Sequence, residues 1–549
     1  MTKIKTILSQ RSLLSFLAGI FYAAGFPMPG NFSFVFGTLI GFFLFFRCLK
    51  GQLNSSTKAS YFKSLSIVLT FSLGYYSLGY YWIPETLREF GSIPRPLNYF
   101  LGLFFSIFII PQYIFFAIIY TFKEKNNHNF LFIKNKTMRN IILASILTLL
   151  EYWTPQQFPA HLGHPLLSLK PFLGLASIFG APIYSFMGYW TVFTCYNLKE
   201  KKIIDYYFLC CLGLFLFFNI AFPLVAEKEK KHTTQHHIRL VQANIGNPLK
   251  LSSELGKFNA IKKVYETYKE LSLLPSQAPL DLIIWPETAY PSLLSSTALK
   301  QTKNFIPGLF QKILNAKNAE LFVGGYDRPR LSNDGYFETE YNTAFLFSPA
   351  DIDHEQQYLK DWYYKMKMIP FGETLPFGPF NKFLSEYITN VSYFAKGNKY
   401  TLFKTKNGTP FIAAICYEIL YSHFIRKYLN NNPENPHFLI NLTNDSWYGD
   451  TSEPYQHLML SKWRALEFNL PIIRSTNTGI TSIIYPDGSE SERIGVFKKA
   501  KLDIILKTNK RNPTLFQIWG IYGNIALYLL LLLILFCGLK LFKRKAFSD

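Results

Sequence analysis

The apolar residues of this chain are gathered into blocks, and that segregation limits its possible folds more than any other feature. They fill residues 12–226, return at 516–542, and leave between them a stretch of ordinary soluble composition. A bilayer's hydrocarbon core is crossed by about 20 mostly apolar residues per helix. Eight segments approach that length: 12–28, 32–48, 62–83, 97–122, 138–153, 172–197, 203–226 and 516–542, the last containing the uncharged run Ala526–Gly538. Only 17% of the 549 residues are charged, below the roughly 25% of a soluble domain. The expected architecture is a multi-pass α-helical membrane bundle of about eight spans with a soluble domain set before the last. The expected boundaries are 1–226 for an N-terminal membrane domain of about seven helices, 227–512 for the soluble domain, and 513–549 for the final span and tail. Lys3, Lys5 and Arg11 ahead of an apolar run resemble a secretory signal, but further spans follow at once, so the first helix is expected to be retained.

A formal net charge of +22 invites a nucleic-acid partner, and the placement of the charge argues against one. Lys3, Lys5, Arg11, Arg47, Lys50, Lys58, Lys63, Lys123, Lys125, Lys134, Lys136, Arg139, Lys199, Lys201, Lys202, Lys540, Lys543, Arg544 and Lys545 fall on one side of the expected spans. The alternate short loops hold only Arg88, Arg95 and Lys170. Such a bias places the basic side, and with it both termini, in the cytoplasm. Residues 227–512 are then expected on the outer face. Lys228, Lys230 and Lys231 run against the rule, which long translocated domains largely escape. Glu227–His237 reads as a solvated stalk. His232, His236 and His237 within it have no carboxylate or cysteine at ligand spacing, so no metal is expected. The loop Tyr80–Pro96, with Trp82 and Phe90, suits either a membrane-interface element or an ordinary outer loop. The spans hold almost no ionisable residue of the kind that marks a transport pathway. Glu151, at the end of the fifth expected span, is the exception, and it could equally sit at an outer interface.

Five of the six cysteines, Cys48, Cys195, Cys210, Cys211 and Cys537, fall in or beside expected spans, and only Cys416 lies in the soluble domain. A lone thiol in an exported domain fits an inert buried cysteine as well as a nucleophile. Short apolar runs at Ile238–Ile245, Leu280–Trp285, Leu321–Gly325, Ala344–Phe347, Phe411–Cys416, Phe438–Leu442, Ile472–Ser475 and Thr481–Tyr485 read as buried strands. Helical patterns at Ser253–Leu273, Ala298–Lys317 and Pro454–Asn469 alternate with them, which argues for an α/β layered domain.

Three short segments carry chemistry. Glu287 ends a strand in IIWPET, Lys365 stands in YYKMKMIPFGE before a Pro-Gly turn, and Cys416 closes FIAAIC. Strand ends are where α/β proteins place reactive side chains, because the loops there open into a crevice. A thiol is little ionised at neutral pH but strongly nucleophilic. A carboxylate could take its proton, and a fixed ammonium could stabilise a tetrahedral oxyanion, a contribution of roughly 3–4 kcal/mol. Each residue taken singly is more often a surface charge or a packed thiol, and Lys367 competes with Lys365.

The ordered set WPET, then a lysine five residues before PFGE, then CYE resembles the nitrilase superfamily and, more closely, the bacterial apolipoprotein N-acyltransferases. ICYE (Ile415–Glu418), NDSWYGD (Asn444–Asp450), QHLMLSKWRALE (Gln456–Glu467) and STNTGIT (Ser475–Thr481) extend the likeness over about 230 to 490. The resemblance implies a nitrilase-like αββα sandwich with Glu287 as base, Lys365 as oxyanion stabiliser and Cys416 as nucleophile. It further implies Glu373 and Glu418 as supporting residues, and Tyr417 and Trp447 as lining the substrate cleft. Its spacing selects Lys365 over Lys367. Leu251 follows Lys250 where the family commonly has tryptophan. The implied reaction moves an acyl group from a membrane glycerophospholipid, usually phosphatidylethanolamine, through a Cys416 thioester. The acceptor is the α-amino group of a diacylglyceryl-cysteine that begins a diacylated apolipoprotein. No cofactor is implied, and a monomer in the bacterial cell inner membrane is expected. A membrane-tethered amidase and a non-catalytic assembly factor are the alternatives.

Overall fold

The computed structural model describes residues 10–51, 57–89, 91, 93–125, 135–170, 172–201, 204–226, 233–301, 306–328, 340–351, 356–370, 372–375, 378–386 and 393–545. Lys3, Lys5, Lys134, Lys202, Phe90, Phe371 and most of the expected stalk, with Lys228, Lys230, Lys231 and His232, lie outside the described residues. Residues 1–81, 99–228 and 514–549 form one compact unit, and residues 82–98 and 229–513 form a second.

The first unit is helical. Its longer helices are Gln10–Ala24, Gly37–Gly51, Thr57–Gly79, Pro111–Lys125, Lys136–Trp153, Pro182–Lys201, Tyr206–Ala226 and Ile521–Lys545. By itself, only 521–540 is long and apolar enough to cross a membrane among the described residues. The pair 97–108 and 111–122, bent by 48°, meets the same test together. Proline and glycine shorten other expected spans. The first helix stops at Ala24, ahead of Pro27 and Pro29, and the segment expected at 172–197 becomes a long helix only at Pro182, after Gly180 with φ of 68°. Small residues let the backbones of the first unit touch. A Cβ on Gly74 would stand 1.9 Å from the Phe16 carbonyl oxygen, and one on Gly41 would stand 2.6 Å from that of Ala18. Glu151 is buried, and it accepts from the Leu162 N–H (2.8 Å) and the Tyr189 hydroxyl (2.5 Å).

The second unit is built on two sheets. Its strands are β1 (Thr234–Gln242), β2 (Leu282–Ile284), β3 (Tyr290–Leu294), β4 (Glu320–Asp327), β5 (Tyr341–Ser348), β6 (Tyr358–Tyr364), β7 (Phe403–Lys404), β8 (Pro410–Ile415), β9 (Phe438–Thr443), β10 (Ile472–Thr476), β11 (Thr481–Ile484), β12 (Glu490–Ile494) and β13 (Ala500–Thr508). One sheet runs β13-β1-β2-β4-β5-β6 with β3 on β4, and the other runs β12-β11-β10-β9-β8-β7. Within them β1, β2 and β4 are parallel, as are β8, β9 and β10. Phe322 of β4 meets the rings of Phe403 and Phe411 on the other sheet, so the sheets face one another across apolar side chains. Helices Phe258–Leu273 and Gly308–Lys317 cover the first sheet through Val264, Tyr268, Phe310 and Ile313. Helix Glu453–Phe468 lies on β10 and β11 of the second. This is an αββα sandwich. Strands buried on both faces, such as β8 and β9, read as continuous apolar runs.

The segment 82–98 belongs to this second unit. Trp82 is 2% exposed, and its ring stands edge-on to that of Tyr448 at 5.2 Å. It is thus a packing residue of the α/β unit rather than a ring free for an interface.

Candidate active site

Strand ends assemble the site. Glu287 follows β2, Lys365 follows β6 and Cys416 follows β8. The Glu287 segment lies flat on β4 because position 324 is glycine: a Cβ there would come within 2.3 Å of the Pro286 carbonyl oxygen and 2.7 Å of Glu287 Cα. Glu287 is 6% exposed and Lys365 fully buried. Lys365 Nζ donates to Glu287 Oε1 at 3.1 Å and to Glu373 Oε1 at 2.7 Å. Burial alone would push this ammonium down, but the Glu287 and Glu373 carboxylates outweigh it and hold its pKa well above the ordinary lysine value. Lys365 is therefore a permanent cation.

Each carboxylate is fixed by further donors. Asn342 Nδ2 reaches Glu287 Oε1 (2.8 Å) and Glu373 Oε1 (3.3 Å). The Asn444 backbone N–H donates to Glu287 Oε2 (2.9 Å), and that of Ile369 to Glu373 Oε2 (2.9 Å). Glu418, wholly buried, accepts from the N–H groups of Met366 (2.7 Å), Lys367 (3.0 Å) and Ile415 (2.8 Å), and from the Tyr363 hydroxyl. It thereby ties the strand that delivers Cys416 to the segment that delivers Lys365. Burial raises its pKa to about 7, against the pull of those donors.

Cys416 has φ of 49°, a left-handed conformation that a side chain adopts only at a cost of about 1–3 kcal/mol. The bend turns the chain from β8 into the helical turn Cys416–Leu420. The thiol is 4% exposed. Burial and the Glu287 charge push its pKa well up, Lys365 opposes them, and the Asp445 charge adds to the rise. At rest this group is a thiol and needs a base.

The two lysines differ in place. Lys367, half-buried, puts its Nζ 3.5 Å over the Tyr421 ring, and burial followed by the Lys396 charge lowers its pKa to about 8. Tyr417 is 3% exposed, with its ring on Tyr421 and the two hydroxyls hydrogen-bonded. Trp447 is half-buried. Leu251, on the helix that also carries Lys250, Leu255, just past its end, and Phe258, at the start of the next, are 57%, 69% and 76% exposed. Lys250 Nζ hydrogen-bonds the hydroxyl of Thr288, beside Glu287.

Sequence reasoning missed Asn342 and the donors after β9, although NDSWYGD and STNTGIT were the signal for the latter. Asn477 Nδ2 holds Asn444 Oδ1 at 3.0 Å, and Arg474 Nη2 holds Asp445 Oδ2 at 2.8 Å. Asp445, Glu453 and His457 bring their polar atoms within 4.8 Å of one another, close enough for an ion. Arg474 already occupies one Asp445 oxygen, however, and the Thr443 hydroxyl donates to the other at 3.2 Å, which suits a hydrogen-bond cluster better than a cation.

The carbon-nitrogen hydrolase family model matches residues 237–499, and the model of the apolipoprotein N-acyltransferase N-terminal domain matches residues 18–194. The apolipoprotein N-acyltransferase of Bdellovibrio bacteriovorus is 29% identical over 474 residues, covering 83% of this chain and 82% of its own. That of Rickettsia typhi is 26% identical over 532 residues, covering 95% and 96%. Among solved structures, a CN-hydrolase superfamily protein of Xanthomonas campestris aligns at 16% identity and a TM-score of 0.34, over 51% of this chain and 91% of that one.

Proposed function

We infer a mechanism from one premise: the chain belongs to the apolipoprotein N-acyltransferase family and N-acylates lipoproteins. Glu287 takes the proton of the Cys416 thiol, and the sulfur attacks an ester carbonyl of a membrane glycerophospholipid. Lys365 stabilises the oxyanion. As the intermediate collapses, Glu287 returns the proton to the leaving oxygen, a lysophospholipid departs and an acyl thioester stays on Cys416. The α-amino group of a diacylglyceryl-cysteine then attacks the thioester. Glu287 accepts the amine's proton and passes it to the departing sulfur, so an amide forms and the thiol returns.

The observation that carries this reading is the Lys365 ammonium held between Glu287 and Glu373. A cation pinned by two carboxylates needs no reorganisation as charge develops beside it. Glu373 and Glu418 are supporting residues in this scheme, and Tyr417 and Trp447 line the approach to Cys416. The exposed Leu251, Leu255 and Phe258 suit the arrival of an acyl chain. Phosphatidylethanolamine is the proposed donor, a diacylated apolipoprotein the acceptor and a monomer the working unit. We place eight spans in the inner membrane, in domains 1–226, 227–512 and 513–549, with the catalytic domain periplasmic and both termini cytoplasmic. Holding enzyme and both lipids in one layer supplies the proximity that a reaction of two anchored substrates needs.

Transfer from phospholipid to a diacylated lipopeptide tests the assignment. Lys365→Ala abolishes turnover in a folded protein, whereas Lys367→Ala is within about fivefold of wild type, because an oxyanion donor alone is worth roughly 3–4 kcal/mol. Equal loss in both, or the reverse order, contradicts the scheme.

A further inference from the structure

The first unit contains a polar cavity of about 240 Å³. It lies between the first turns of helices Lys136–Trp153 and Tyr206–Ala226, the Thr194–Asn197 turn of helix Pro182–Lys201, and Leu535 of the last helix. A space of about 10–15 Å³ holds one water, so this cavity has room for a much larger group. Asp205 joins two of the helices: its Oδ2 accepts from the Thr137 hydroxyl at 2.8 Å and its Oδ1 from the Phe208 N–H at 3.0 Å. Both carboxylate oxygens are thereby engaged. The Tyr207 hydroxyl donates to the Leu531 carbonyl at 2.9 Å, which fastens the last helix to the same wall.

The remaining polar groups are donors without acceptors. A threonine inside a helix commonly turns its hydroxyl to the carbonyl four residues back, as Thr191 does to Met187 at 2.7 Å. Thr194 does not. It is 9% exposed, and its hydroxyl has no hydrogen-bond partner among the described residues. Asn197 Nδ2 donates to Asn140 Oδ1 at 3.2 Å, which leaves the Asn140 amide N–H groups unused in a side chain only 3% exposed. Lys136 forms no ion pair among the described residues and stands at the start of its helix. The first N–H groups of both helices have no carbonyl partner within them and carry the positive end of the helix dipole. An ammonium, a hydroxyl, an amide and helix-start N–H groups are together matched by a phosphate. The rim is apolar. Ile204 and Tyr206 are exposed there, as are Leu533 and Phe536 to either side of Leu535, on a helix apolar enough to cross a bilayer. Such a rim suits the chains of a lipid rather than a free anion.

We propose that this cavity binds the phosphate of an anionic phospholipid headgroup in the cytoplasmic leaflet. Lys136 pairs with the phosphate, and the Thr194 hydroxyl and Asn140 amide donate to its other oxygens. The lipid ties four helix segments together and is distinct from the acyl donor. A basic pocket between spans on the cytoplasmic side is a common form of anionic-lipid site. The choice of leaflet, though not the binding itself, rests on the topology proposed above.

The test uses the full chain in detergent, stripped of lipid and given phosphatidylglycerol, phosphatidylcholine or inorganic phosphate. Bound lipid is counted by native mass spectrometry, and thermal unfolding is followed beside it. Phosphatidylglycerol is expected to be retained and to raise the melting temperature, as a ligand of the folded state does. Phosphatidylcholine and inorganic phosphate are expected to leave it unchanged. Lys136→Gln and Thr194→Val each weaken retention about tenfold, the effect of one hydrogen bond to a charged group. Thr194→Ser keeps the hydroxyl and the binding, and Thr194→Ala replaces the valine variant if that protein does not fold. Lys63→Gln removes a charge of the same side outside the cavity and retains lipid as wild type does. Equal retention of the two lipids, the same shift with inorganic phosphate, or equal loss in Lys63→Gln and Lys136→Gln would overturn the proposal. So would wild-type retention in both Lys136→Gln and Thr194→Val. The assay has no sidedness, so a reversed topology would move the leaflet and leave these results as they are.

Discussion

Glu418 illustrates how much of the site is held by acceptors rather than by packing. Both of its oxygens only accept, from three backbone N–H groups and a tyrosine hydroxyl. Glu418→Gln is nearly isosteric, yet it turns an NH2 group toward either Ile415 N–H or the Met366 and Lys367 N–H groups. A buried donor facing a donor costs roughly 1–3 kcal/mol each. Thermal unfolding of Glu418→Gln should therefore begin several degrees below wild type, and turnover should fall by more than tenfold because Cys416 and Lys365 lose their shared tether. An unchanged melting temperature with full activity would contradict that role. The motif around this residue was legible in the sequence as CYE. Its partners were not, because Met366, Lys367 and Ile415 contribute backbone groups, which no side-chain pattern reports. The same holds for Asn444, whose N–H rather than its amide meets Glu287. The choice between Lys365 and Lys367 was left open by residue type. It turns on where β6 ends, one residue before Lys365, a boundary that an apolar pattern does not fix.

At the scale of elements, glycine decides which helices of the first unit can approach. Gly74 on helix Thr57–Gly79 faces the Phe16 carbonyl so closely that any Cβ must part the two backbones. Without a hydrophobic drive between helices in lipid, such backbone contact supplies much of their association. Gly74→Ala should lower the yield of folded protein and its melting temperature in detergent, while Gly213→Ala, where a Cβ meets nothing within 4 Å, should leave both unchanged. Equal behaviour of the two variants would remove the packing argument. Strands with unbroken apolar runs were legible, among them Phe411–Cys416 and Phe438–Leu442. Those with polar residues on one side were not. In β13, Lys501, Asp503 and Lys507 alternate with Leu502, Ile504 and Leu506, and the strand pairs with β1 along its whole length. It is absent from the expected strands, which were found by continuous apolar runs that this alternation lacks. Gly256, with φ of 80°, likewise splits the helix expected over Ser253–Leu273 into Asn247–Glu254 and Phe258–Leu273.

For the whole molecule, the proposed topology rests on the one-sided distribution of lysine and arginine and on seven spans ahead of residue 227. Asp487 is exposed in a turn of the second unit. Asp487→Cys should react with a membrane-impermeant thiol reagent in cells whose outer membrane alone is permeable, and reaction only after lysis would reverse the orientation. The membership of 82–98 in the α/β unit was invisible in sequence. Trp82 looks like an interface residue until its ring is seen against Tyr448. The central claim is that Cys416 carries an acyl group between two lipids, and the direct measurement is the fate of label on that sulfur. Incubated with phospholipid labelled in its acyl chain, wild type should accumulate a thioester on Cys416 that persists in water and discharges onto a diacylated lipopeptide with a free amino terminus. An N-blocked lipopeptide should leave the thioester in place, and Cys416→Ser should form none. Label lost to water as fast without lipopeptide as with it would make this chain a hydrolase and contradict the account.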